Sequence, residues 1–407
     1  MTAKRPKVLF VTYGGGHVNV VLPVIQALRK ADMVDVEVLG LTTASAVLTR
    51  HQIPHLRFKD LTGPGDAEAL VAGRKLAAGL GGAMIDSDET AAYLGLCYTD
   101  LVQREGEAKA AKLYQEKGRM CFLPQGPLRR LFDRCNPDLL VSTNSPRAEQ
   151  AAFLVARERG VRSLCIVDLF GIDEYAWIGE AHYATRIAVL TESVRQFYIR
   201  SGKSPAEVVV TGNPAFDRLE RHLKGEARDT FRLAKGWTGK KVILWASSPE
   251  PTIHPTNGTL GDASLPRRVD QALIAAAAGH PEWLVVIRPH PSETVSPRDW
   301  PANVVISNKD EDLESLLSAV DCVLVLASTV GMQAALLGRP VIQLTESIIT
   351  SAGPFAEMGL ARAVNSIDGL EMAIAEVVEH GRHLPIKLDP PGHACENVVS
   401  LIDSLLR

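Results

Sequence analysis

The sequence predicts an α/β protein built as two tandem domains, each a doubly wound parallel sheet covered by helices. Three observations carry that prediction. Short β-branched runs alternate with helical patterns over most of the chain, the pattern of parallel strands buried on both faces. The length of 407 residues exceeds what one hydrophobic core grows to fill, so two domains are the natural count. A phrase with Gly and Pro followed by a charged stretch, VTGNPAFDRLERHLKG at residues 210–225, interrupts the alternation at mid-chain. The expected division is a first domain over residues 1–212, a second over 213–385, and a C-terminal helix within 386–407.

The strand candidates of the first half are KVLFVTY (7–13), VDVEVLGL (34–41), DLLVST (138–143), SLCIVDL (163–169), RIAVLTE (186–192) and EVVVTG (207–212). Between the second and third lies an insertion at about residues 60–135, rich in Ala, Leu, Lys and Glu and therefore helical in character. It reads either as a substrate-facing lid or as packing decoration. The second half offers KVILWAS (241–247), WLVVIRP (283–289), VVISN (304–308), CVLVLAS (322–328) and PVIQLTE (340–346), with alanine-rich helices between. The closing HACENVVSLIDSLLR is an amphipathic helix with no strand after it, suited to cross back to the first domain. Two such sheets with their strand ends facing each other would enclose a central cleft, the default ligand site.

Composition narrows the class. A chain with 46% hydrophobic and 22% charged residues is a soluble globular protein, and a net charge of -3 gives no basic face for nucleic acid. Arg129 and Arg130 form a local basic pair, which is either a solvated helix face or a point of peripheral contact with an anionic membrane. The six cysteines are scattered with no C-x-x-C pair, which favours reduced thiols and a cytoplasmic setting, with the inner face of the membrane as the place of any such contact. The N-terminal apolar run is too short for a signal peptide and reads as a buried strand. The uncharged stretch from Cys322 to Gly338 is too short and too polar to span a bilayer.

Four phrases hold side chains able to do chemistry. In VLFVTYGGGHVNVVLPVIQALRK (8–30), Gly14, Gly15 and Gly16 allow a tight turn and bring N–H groups near a ligand at the positive end of a helix. The third glycine of a dinucleotide fingerprint would fall on Asn19, so NAD is disfavoured. His17 follows the turn, placed to take a proton from a sugar hydroxyl; the plainer alternative is a histidine bonded to a neighbouring carbonyl. In VVIRPHPSE (285–293), Arg288 and His290 stand among prolines at a strand's carboxyl end, where phosphates bind; the plainer alternative pairs Arg288 with a carboxylate. In CVLVLASTVGMQAALLGRPVIQL (322–344), Ser328 and Thr329 cap a helix whose first N–H groups suit a diphosphate, and Gly331 lets a ligand approach. In VVVTGNPAFD (208–217), Gly212 and Asn213 form a turn at the domain boundary; with Gly16 and with Ser247, which closes KVILWAS, they join the expected ligand contacts of the cleft.

Together these phrases resemble the GT-B superfamily, the two-domain Rossmann-like nucleotide-sugar glycosyltransferases and the related UDP-sugar 2-epimerases, over nearly the whole chain. GGGHVNVVLPVI is similar to the acceptor loop of GT-B enzymes such as the glucosaminyltransferase of peptidoglycan assembly. That resemblance implies His17 as base, steadied by an aspartate from a later strand: Asp168 at the end of CIVDLFG, or less fittingly Asp138. RPHP and STVGMQAALLG are similar to phrases of capsule and cell-wall polysaccharide transferases, which implies that Arg288, His290, Ser328 and Thr329 hold the donor's phosphates. Where those enzymes carry a ribose-binding glutamate, this chain has Gln333. PDLLVSTNSPRAEQAA, SLCIVDLFG and VVVTGNPAFDRL look most like the epimerase branch, which has an aspartate where Asn144 stands, a glutamate near Asp168, and another that Glu174 or Glu180 would supply. The Arg-Pro-Glu of that branch is missing from the N-terminal phrase.

The sequence therefore favours a glycosyltransferase moving a sugar from a nucleotide-sugar donor to a sugar or lipid-linked hydroxyl acceptor, in bacterial surface polysaccharide or glycoconjugate synthesis. A UDP-N-acetylglucosamine 2-epimerase or hydrolase of the same fold is the alternative, and a binding protein without catalysis is the third reading. The donor, linked to UDP, CMP or CDP, is a substrate, so no cofactor is expected. With no D-x-D at a strand end, no metal is expected either.

Overall fold

Uninterrupted apolar runs such as Val8–Val11 and Val242–Ala246 are buried on both faces, which only the interior of a helix-covered parallel sheet provides. The computed structural model describes residues 5–78, 86–223, 225–254, 258–290, 292–293, 300–308, 310–380 and 388–407. The chain divides into two units: one runs to Ala215 and takes in His393–Arg407, the other spans Phe216–Gly392.

The first unit holds β1 (Lys7–Thr12), β2 (Asp35–Gly40), β3 (Leu139–Thr143), β4 (Arg162–Ile166), β5 (Arg186–Val189) and β6 (Val208–Val210). They form one parallel sheet in the order β2-β1-β3-β4-β5-β6. Its core joins Phe10, Val141 and Ile166 to Val21 and Ile25 of the helix Gly16–Ala31, and to Val398, Ile402 and Leu405 of the helix Ala394–Leu406. The C-terminal helix is thus part of this unit.

Between β2 and β3 stand the helices Ala67–Ala77, Ser87–Glu105, Glu107–Lys117 and Gln125–Cys135. The first two touch backbone to backbone. A Cβ on Gly73 would lie 1.9 Å from the Ala91 carbonyl oxygen, and one on Gly95 would lie 2.0 Å from that of Ala69.

The second unit holds β7 (Lys241–Ala246), β8 (Trp283–Arg288), β9 (Val304–Ile306), β10 (Cys322–Val325), β11 (Val341–Leu344) and β12 (Arg362–Val364), again all parallel, in the order β12-β11-β10-β7-β8-β9. Its core centres on Trp245, Trp283, Val285, Leu324 and Ile342, closed by Leu370 and Ile374 of the helix Leu370–His380. Among the described residues no helix is long and apolar enough to cross a membrane, and all six cysteines are free thiols.

Ile402 is fully buried in the first core. Ile402→Ala is expected to cost about 2–4 kcal/mol, read as faster hydrogen exchange at the β1 and β3 amides.

Candidate functional site

In the first unit the chain winds away from β1 in both directions, because β2 and β3 lie on opposite sides of it. The crevice beyond the carboxyl ends of β1 and β3 is therefore the topological switch point, where open α/β sheets bind ligands. The glycine loop leaves β1 there. Gly15 adopts φ 68° before the helix Gly16–Ala31, which glycine does without strain and which sets His17 in the first helical turn.

His17 Nδ1 lies 2.8 Å from Thr143 Oγ1 at the end of β3 and 3.8 Å from Asp168 Oδ2. The Thr143 hydroxyl donates its one proton to Glu149 Oε2, so towards His17 it can only accept. That places the proton of a neutral imidazole on Nδ1 and leaves Nε2 as the bare base.

Glu149 is fully buried, and burial pushes its carboxyl pKa upward. The charge of a protonated His17 opposes that rise, and so do four donors that favour the ionised form: the Thr143 hydroxyl and the amides of Tyr13 (2.7 Å), Thr143 (3.1 Å) and Ser145 (3.3 Å).

Asp168 is held from both sides through its backbone. Its N–H donates to Asn144 Oδ1 at 3.0 Å, and its carbonyl accepts from Asn213 Nδ2. A Cβ on Gly16 would stand 3.8 Å from Asp168 Oδ2, so the small residue keeps that carboxylate's surroundings open. Gly212, at φ 79°, lies against Ala394, whose Cβ would be 2.9 Å from one at position 212; its smallness admits the C-terminal helix. Asp138 sits at the opposite end of β3 and accepts from the Lys7 amide at 2.7 Å. That removes it from the set around His17.

The two glutamates near Asp168 differ sharply. Glu180 is exposed, 4.0 Å from Arg157. Glu174 is mostly shielded, and burial, reinforced by the charges of Asp168 and Asp173, raises its pKa from 4.5 to about 7. A carboxyl that titrates near neutrality is suited to give or take a proton.

In the second unit the switch point lies between β7 and β10. Ser247 follows β7 and is buried; Ser328 follows β10 and accepts from the Val330 amide at 3.3 Å, capping the helix Thr329–Leu336. Thr329 opens that helix exposed. Gln333 is 7% exposed, with a buried Oε1 that has no partner among the described residues.

Arg288 ends β8, but its guanidinium is turned to the following strand's loop. It donates to Ser307 Oγ at 2.9 Å and to the Glu311 carbonyl at 3.2 Å, and burial lowers its pKa. His290 is exposed, with Nδ1 2.7 Å from Ser292 Oγ; Pro291 lies outside the described residues. The smallness of Gly331, read from the sequence as room for a ligand, has another reason: a Cβ there would meet Val325 at 3.2 Å and Phe355 at 3.3 Å.

The sequence reading missed Thr143 and Glu149. The available signal was an acid two places after Pro-Arg in an alanine-rich helix (PRAEQAA), where Ala148, Ala151 and Ala152 are suited to burial.

Two outcomes follow from this geometry. Neutral His17 should show its proton on Nδ1 by 15N NMR, and Thr143→Val should shift the tautomer towards Nε2–H. For Glu174, the folded chain holds a proton between pH 4.5 and about 7 that the unfolded chain releases, so stability falls as pH rises through that window. Glu174→Gln should flatten that fall and be the more stable protein at about pH 8, by roughly 2 kcal/mol once its partial exposure is allowed for.

No family model matches the chain, and neither does any curated protein. Solved structures do. UDP-GlcNAc 2-epimerase from Neisseria meningitidis, bound to UDP-GlcNAc, superposes with a TM-score of 0.58 at 16% identity, covering 98% of this chain and 100% of that one. The Methanocaldococcus jannaschii UDP-GlcNAc 2-epimerase in complex with UDP-GlcNAc and UDP gives 0.58 at 14% identity, over 98% and 99% of the two chains. The glycosyltransferase of kitacinnamycin gives 0.56 at 15% identity, over 99% and 100%. With two doubly wound units built in this order and matched along their whole length, the chain has the GT-B fold that these nucleotide-sugar enzymes share.

Proposed function

We propose that the chain is a nucleotide-sugar enzyme that moves a proton on and off the sugar, as a 2-epimerase acting on UDP-N-acetylglucosamine or a close analogue. The observation that carries this is the acid–base set of the first unit: His17 with Nε2 bare, Asp168 held on both sides, and Glu174 titrating near 7. The sequence alone favours sugar transfer to an acceptor. The fold neighbours, most of them 2-epimerases, and a second titrating carboxyl beside Asp168 shift the balance to the epimerase class.

The chemistry needs no acceptor. A base takes the C2 proton, the C–H electrons form a C1–C2 double bond, and the C1–O bond breaks to release UDP. A proton then returns to the opposite face of C2 as UDP adds back at C1. A carboxyl with a pKa of about 7 fits the proton-returning role, because both of its forms are populated at neutral pH. For the nucleotide, the second unit offers Ser247, Ser328, Thr329 and the first N–H groups of the helix Thr329–Leu336. The unpartnered Gln333 Oε1 is an acceptor suited to a ribose hydroxyl.

Glycosyl transfer stays as the second reading for one reason: His17 Nε2 is equally placed to deprotonate an acceptor hydroxyl, and a glycosyltransferase shares the fold.

The test is incubation with UDP-N-acetylglucosamine alone in D2O. Deuterium should appear at C2, and His17→Ala or Glu174→Gln should slow its entry about a hundredfold with nucleotide binding kept. The rate should change between about pH 6 and 8, and Glu174→Gln should lose that limb. Absence of deuterium at C2, with UDP released only when a hydroxyl acceptor is added, would overturn the epimerase reading in favour of transfer.

A further inference from the structure

Arg147 belongs to neither the acid–base set nor, among the described residues, any ion pair. It precedes the helix Ala148–Glu158 with φ 69° and ψ -112°, a conformation that side-chain-bearing residues rarely adopt. The surrounding fold holds it there, and such strain collects at ligand-binding positions. Its guanidinium carbon lies 4.8 Å from the centre of the Tyr13 ring, and its Nε is buried with no acceptor among the described residues. The charges and dipoles around it come from the Tyr13 and Tyr93 hydroxyls, the Cys97 thiol and Glu149. Tyr13 and Tyr93 hydrogen-bond each other at 2.7 Å, and the Glu149 oxygens are taken up by Tyr13, Thr143 and Ser145.

Glu149 puts a charge nearby, but a half-buried guanidinium whose Nε has no acceptor is still costly, and a folded chain keeps one where something else completes it. One further feature of the loop points the same way. The helix start is already answered, by Glu149 in its first turn and by the Tyr13 hydroxyl, which accepts from the Ala148 amide at 3.4 Å, but Asn144, 1% exposed, holds a buried Nδ2 that has no partner among the described residues. The loop from Asn144 to Arg147 thus carries two buried nitrogens without acceptors among the described residues. Glu149 of that same helix also anchors the His17–Thr143 contact.

We propose that Arg147 receives an anionic group of the substrate, a carboxylate or a phosphate, at the carboxyl end of β3. It rests on the nucleotide-sugar reading only for which molecule brings the anion. A guanidinium fork suits both groups because it offers two parallel N–H donors to two oxygens.

The experiment titrates the full chain, as wild type, Arg147→Gln and Arg147→Lys, with UDP-N-acetylglucosamine, with its 6-carboxylate counterpart and with inorganic phosphate. The expected result is that Arg147→Gln, melting at the wild-type temperature, weakens at least one anionic probe about 30-fold or more, as loss of one partner of a charge pair does, while Arg147→Lys restores part of it. Loss confined to the 6-carboxylate assigns a carboxylate on the sugar; equal loss for phosphate and for both nucleotide-sugars assigns a phosphate. Wild-type affinity for every probe in Arg147→Gln, or no binding of any probe to wild type, overturns the proposal. Deuterium entry at C2 is scored separately, so the proton-transfer reading stands or falls without this result.

Discussion

The arrangement in the first unit depends on one buried carboxylate. Glu149 accepts from the amide that follows β1, from both the amide and the hydroxyl of the last residue of β3, and from Ser145 just beyond. Two loops that leave adjacent strands in the same direction would otherwise be free to splay at the switch point. The carboxylate ties them, and by claiming the Thr143 proton it also decides which nitrogen of His17 is bare. A structural need, satisfying backbone N–H groups in a dry place, and a chemical one, orienting an imidazole, are thus met by one side chain.

The second unit solves the same problem separately. Glu250, 6% exposed and just beyond β7, accepts from Ser347 Oγ at 2.6 Å and the Ile348 amide at 2.8 Å, which follow β11. The strand-end groups differ in character between the units, however. Around His17 they include an imidazole and carboxyls that can give or take a proton. Around Ser328 they are hydroxyls and a helix start, neutral dipoles suited to hold an anion, while Ser247 stands beside the Glu293 carboxyl.

How much of this could be read in advance follows from range. Eleven strands were legible because each has a run of β-branched or other apolar residues, even the three-residue edge strands VVV and VVI; β12 was not, since its three residues are Arg-Ala-Val. The pairing of His17 with Asp168 came from the resemblance of two short phrases, and the two side chains lie 3.8 Å apart. Thr143 was not legible, because it meets His17 across 126 residues of sequence, through the β1–β3 pairing that only the folded sheet supplies. Arg288 illustrates the converse. A basic residue at a strand's carboxyl end suggests a phosphate, yet the carbonyl of Glu311, on a loop 23 residues later, claims much of its donor capacity.

Asn144 couples the two strand ends. The epimerase-like pattern carries an acid at this place, and the amide here performs the part that geometry demands, since its Oδ1 accepts the Asp168 N–H. An aspartate would accept the same proton while adding a third carboxylate beside Asp168 and Glu149, and like charges so close drive one another's pKa upward. With the amide, Asp168 is positioned without that repulsion, and the neutral-range titration is left to Glu174. The cost is a buried Nδ2 with no acceptor among the described residues, on the order of 1–3 kcal/mol for such a group. That cost persists only while no oxygen reaches the loop, so the same substitution that quiets the carboxylates also leaves a donor waiting beside Arg147.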